Sequence, residues 1–208
     1  MTFWNREHSE QEGVLYPADS VFGLLFGPIG LIALGIWWSK TRPPVGRAVF
    51  GAFFVFYLAA MFTMTFAPIY VDGLEYLRTE EALTGNLNAG HNFVPFASIV
   101  EILKNQTLSV ALRQIGGNLV LMFPLGFAMT VGGRSVKALK TVAVAVAVSF
   151  GIETIQLLGS QAYGFNWKSV DVDDVILNTA GALVGWTIGK LFERSVGSGA
   201  LEVFRTPE

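Results

Sequence analysis

Cysteine is absent from the 208 residues, which removes disulfides, thiolate nucleophiles and thiolate metal sites together. Charge is scarce: 14% of residues are Asp, Glu, Lys or Arg, where a soluble domain carries roughly 25%. The two histidines, His8 and His91, lie in polar stretches away from the apolar runs. A net charge of −2 with no basic stripe excludes an electrostatic nucleic-acid surface. The N-terminus, MTFWNREHSEQEG, lacks the positive region of a cleavable signal, so the first apolar segment is expected to persist as a helix.

Apolar residues fill the space that charge leaves. They make up 52% of the chain, at a mean hydropathy of +0.50. Five runs approach the length of about 20 residues that a spanning helix needs. They cover 21–39, with Trp37 and Trp38 at one end, about 48–70, 116–133 with Pro124 inside, about 138–158, and about 171–192. Strict alternation in TVAVAVAV suggests a strand, but an open strand leaves its backbone unsatisfied in lipid. The expected fold is all-α, a polytopic membrane bundle of about five transmembrane helices. An amphipathic extracytoplasmic helix is expected from Pro95 through FASIVEILKN, with Phe96, Ile99, Val100 and Leu103 on one face. Its simplest placement is on the bilayer surface. The turn-rich TGNLNAGHN before it is a connector or a ligand loop.

Basic residues orient the bundle. Lys40, Arg42 and Arg47 sit in one short loop, and Arg134, Lys137 and Lys140 in another; both are expected in the cytoplasm. The acidic N-terminus then lies outside, and the C-terminus with Arg194 and Arg205 lies inside. The expected organisation is an acidic tail with an additional helix over 1–47, a four-helix domain over 48–192 and a cytoplasmic tail over 193–208.

On this topology the intramembrane polar residues converge at the outer level. Asn92, Arg113 and Asn118 lie there, with Glu153 and Gln156 on one face of the fourth run and Asp171, Asp173, Asp174 and Asn178 opening the fifth. Asp171 and Asp174 suit helix capping and the helix dipole, whereas Asp173 points elsewhere. Asn178 suits an interhelical hydrogen bond. A carboxylate inside a span, such as Glu153, costs several kcal/mol unless it is paired, protonated or hydrated, roughly as for other intramembrane charges. Arg113 and Lys168 are its candidate partners. Gly181, Gly185 and Gly189 form a small-residue stripe on the fifth run, and Ala182 lies off it.

Four ordered stretches carry a resemblance: HNFVPF (91–96), GNLVLMFPLG (117–126), SFGIETIQ (149–156) and DVDDVILNTAGALVG (171–185). Together they resemble the VanZ-like family of small bacterial membrane proteins, over about residues 48–192. The resemblance implies a bacterial cell-membrane protein connected with low-level teicoplanin resistance. It marks Asn92, Pro95, Asn118, Pro124, Gly126, Glu153, Gln156, Asp171, Asp174, Asn178 and Gly181 as motif positions. Where the family commonly has an arginine before the acids of the last helix, this chain has Lys168, which keeps the charge without the bidentate fork.

The functional expectation is an outer-leaflet site that binds or processes a lipid-linked cell-wall intermediate or a glycopeptide-related ligand. As an enzyme it would use Glu153 as base with Asp171 and Asp174 as proton or metal partners, and a divalent cation is the cofactor such acids suit. Asn92, Arg113, Asn118, Gln156, Lys168, Asp173 and Asn178 are the candidate ligand-binding residues. A non-catalytic partner of envelope-synthesis proteins and a small lipid or solute transporter are the alternatives. Acids at one face and the absence of an inverted repeat weigh against transport.

Overall fold

The computed structural model describes residues 18–41, 44–67, 75, 78–79, 91–132 and 136–204. The acidic tail, Arg42, Arg134, Arg205, the Trp37 side chain and most of TGNLNAGHN lie outside the described residues. Helix α1 is Ala18–Thr41 and α2 is Val45–Phe66. The short α3, Ala97–Asn105, and α4, Leu108–Ala111, follow. A π-helical turn, Leu112–Gly116, then leads into α5, Gly117–Gly132. Helices α6, Ala138–Tyr163, and α7, Val172–Val196, complete the bundle, and a 3-10 turn spans Ser198–Val203. Among the described residues the β-structure is one isolated bridge, Asn92 to Asp171.

Among the described residues, four stretches are long and apolar enough to cross a membrane: Val45–Phe66, Leu108–Gly132, Ala138–Tyr163 and Val172–Val196. They match the last four of the expected runs, so the protein is a multi-pass helical membrane protein. The first expected run is helical as α1. The run expected from residue 116 begins earlier, because the π turn and α4 extend it back to Leu108.

Two helices form the spine. α5 and α7 share the most extensive contact, and glycine makes it possible. A methyl group built on Gly126 would fall on the Ala182 carbonyl; on Gly181 it would meet Leu119, and on Gly185 the Phe123 carbonyl. The backbones therefore touch, as small-residue stripes permit. Ala182, expected off the stripe, is fully buried in the core with Met122, Ala145, Ile152 and Phe66. Its backbone carbonyl lies against Gly126, while the residue as a whole is enclosed in the core. Asn178 donates to Ser149 Oγ at 2.9 Å, tying α7 to α6, and Tyr57 donates to the Leu121 carbonyl at 2.8 Å, tying α2 to α5.

Candidate functional site

Three acidic residues within four positions at the start of α7 do three different jobs. Asp171 is the helix N-cap, and its Oδ1 accepts the Asp173 amide at 2.8 Å. The cap therefore closes on Asp173 rather than on Asp174 as a capping box would. The same oxygen receives Asn92 Nδ2 at 2.8 Å. Asp174 reaches across to α5, where its Oδ1 accepts from Asn118 Nδ2.

Asp173 is 1% exposed and faces the start of α3. Its Oδ1 accepts the Phe96 amide, and its Oδ2 accepts the Ile99 amide at 3.1 Å. These are among the orphan donors that any helix start must satisfy. A carboxylate of one helix thus caps another. That is why the sequence could not explain Asp173 as a cap: the helix it caps is 74 residues away along the chain. The same contact accounts for a departure at Pro95. The helix begins at Ala97, with Phe96 at the cap position in a left-handed conformation, φ 67°. Such a conformation is uncommon for a residue with a side chain and persists where surrounding contacts hold it.

Asn92 completes the fastening. Its amide donates to the Val170 carbonyl at 2.8 Å and its carbonyl accepts from Val172 at 2.9 Å, which forms the isolated bridge. Its side chain donates to Ser98 Oγ at 3.0 Å while its Oδ1 accepts the Val94 amide. The HNFVPF motif is therefore stitched to the start of α7 by backbone and side chain together.

Behind this wall stands Glu153, 5% exposed on α6, whose Oε2 accepts the Asp171 amide at 3.0 Å. In front of it is a cleft of about 520 Å³. Asp171, Asp173, Asp174, Asn118 and Arg113 line it, with Ser98 and Ile99 of α3 on the far side. The π turn presents Arg113 and Gln114 to the cleft, and such turns frequently occur at functional sites.

The other candidates lie elsewhere. Gln156 donates to the Thr65 carbonyl at 3.1 Å, and Lys168 Nζ to the Ala67 carbonyl at 2.8 Å. Both serve the end of α2, whose last carbonyls lack helical donors. Asn178 is buried one level deeper against Ser149. Glu153, Gln156, Lys168 and Asn178 do not line the cleft. Ser98, Glu101, Gln114 and Ser169 do, and sequence reasoning missed them. Glu101 and Ser98 sit on the polar side of an amphipathic helix, which in sequence is indistinguishable from a solvated face. Ile99, expected on the lipid-facing side, turns toward the cleft. Among the described residues no three His, Asp or Glu side chains converge as a metal cage.

A family model described as VanZ/LLP1 matches residues 54–193. No curated protein and no solved structure matches the chain. The match runs from the middle of α2 to the end of α7 and takes in all four resembling motifs with the bonds that join them. On that extent, about two thirds of its length, the chain belongs to the VanZ/LLP1 family.

Proposed function

We propose that this protein holds the polar head of a cell-envelope ligand, lipid-linked or glycopeptide-related, in the cleft beside Asp171 and Asp174. The observation that carries the reading is the set of polar groups left open there. Among the described residues, Asp171 Oδ2 and Asp174 Oδ2 receive no hydrogen bond, and the Arg113 guanidinium has no ion-pair partner; all three residues line one cleft. Asn92, Asn118 and a backbone amide hold the opposite oxygens, so the open ones are already oriented. A carboxylate oxygen so placed accepts hydroxyl or ammonium protons, and a guanidinium takes phosphate or carboxylate. A ligand carrying both kinds of group fits this arrangement. Glu153 orients Asp171 through its amide without contacting the ligand.

The positive-inside bias puts this end of the bundle on the outer side, where envelope intermediates and glycopeptides are met. Altered teicoplanin susceptibility is then the phenotype the family resemblance implies. The experiment is native mass spectrometry of the protein extracted from its own membrane in mild detergent. Wild type should retain an adduct that the Asp171→Asn/Asp174→Asn double variant has lost at unchanged melting temperature. An adduct held equally by both proteins, or by neither, would overturn the reading.

A further inference from the structure

A run of uncovered apolar side chains borders the cleft on its outer side. Phe93, Leu103 and Leu108 are 70%, 65% and 75% exposed, and Phe96, Val100 and Leu112 are exposed beside them. Val100 and Leu103, three apart, share one face of α3, and Phe96 at its cap position is exposed as well. Ser98 and Ile102, on the other side of the same helix, line the cleft. α3 therefore separates two environments: polar behind it, apolar in front.

Its nine residues rise roughly 14 Å at about 1.5 Å per residue, far short of a span. Past the polar turn 104–107, Leu108 and Leu112 are exposed as well, and these open the Leu108–Gly132 span, which also exposes Val120. Adjacency to a membrane-spanning surface identifies what covers the strip. The helix is also held in place: Asp173 takes two of its amides, and Asn92 holds its Ser98.

We infer that the strip formed by Phe93, Phe96, Val100, Leu103 and Leu108 is seated in the outer part of one bilayer leaflet. α3 then forms a fixed interfacial ledge, and the cleft behind it opens at headgroup depth. Resting on the cleft reading above, this narrows the ligand to one presented by the bilayer itself, a lipid headgroup entering from the side. Interfacial helices bind in this way, with the apolar face among acyl chains and the polar face turned up.

The native chain has no cysteine, which permits single-site labelling. An environment-sensitive nitrobenzoxadiazole label is attached to Leu103→Cys and, separately, to Asn105→Cys, each exposed in the structure. Both proteins are reconstituted in phosphatidylcholine/phosphatidylglycerol vesicles. The Leu103 label should emit further to the blue, and nitroxide carried on the upper acyl chain should quench it several-fold more than the Asn105 label. Equal quenching of both labels by aqueous iodide would overturn the inference. So would a blue-shifted Leu103 label that lipid nitroxide leaves untouched, since a second copy or another protein would then cover the strip. Neither outcome depends on adduct retention, so failure here and failure of the cleft reading are distinguishable.

Discussion

Asp171, Asp173 and Asp174 are neighbours in sequence, yet their chemistry differs because each meets different donors. Asp171 and Asp174 each accept through one oxygen and leave the other open to the cleft. Asn caps a helix about as well as Asp, so Asp171→Asn should keep the α7 start, and Asp174→Asn can still accept from Asn118. Each should melt near wild type while losing the adduct and any effect on teicoplanin susceptibility. Combining Asp174→Asn with Glu153→Gln should be little worse than either alone, since both acids serve one site; additive losses would separate them. Asp173 is expected to behave in the opposite way. Both of its oxygens accept backbone amides, so an Asn there must turn an NH2 toward a donor inside the protein. An unsatisfied buried group costs roughly 1–3 kcal/mol, about five- to 150-fold in an opening equilibrium. Hydrogen exchange of the α3 amides should accelerate by about that factor in Asp173→Asn, with the α6 core amides little changed.

At the scale of elements, the α5–α7 seam decides how closely the bundle packs. A leucine at Gly185 would have to occupy the position of the Phe123 carbonyl, forcing the two helices apart. Val184, one residue earlier, is about half exposed on the outside of the same helix. Gly185→Leu should therefore lower the melting temperature in detergent strongly, whereas Val184→Leu should leave it within a degree or two. Equal melting of the two variants would remove the case for backbone contact. Ala182→Leu should resemble Gly185→Leu rather than the surface control, because Ala182 is wholly enclosed in the core with Met122 and Ala145. The adjoining polar pair has a smaller effect. Loss of the Asn178–Ser149 bond should cost about 1 kcal/mol, as interhelical hydrogen bonds do in membranes.

Across the whole molecule, the acids lie at one end of the bundle and the cluster of Lys190, Glu193 and Arg194 at the other. There, Lys190 and Glu193 are paired at 2.8 Å. The start of α6, Lys137 and Lys140, lies at that second end as well, since α6 and α7 run antiparallel. The charge bias therefore predicts opposite sides for Gln106, in the loop after α3, and Lys137. Membrane-impermeant maleimide should label Gln106→Cys in intact cells and Lys137→Cys only after permeabilisation. The reverse pattern would place the cleft in the cytoplasm and exclude an outer-leaflet ligand.

The amino-acid sequence alone determined the class of molecule and the positions of its spans. The reason is local: a run of about 20 apolar residues without backbone partners in lipid has no option except helix. It also singled out Arg113, Asn118, Asp171, Asp173 and Asp174, which line the cleft, because polar residues are rare enough in and beside spans to stand out. The tertiary structure alone decided which of them face the opening. Glu153, Gln156, Asn178 and Asp174 all read as intramembrane polar groups, but the first three turn to backbone or to a neighbouring hydroxyl, and only Asp174 reaches the cleft. Asp173 shows why. Its role depends on helix α3 folding back to place two free amides against it, and a contact spanning 74 residues leaves no trace in local pattern. Helical periodicity records which face a residue occupies, but the donor that meets it there is set by how the helices pack.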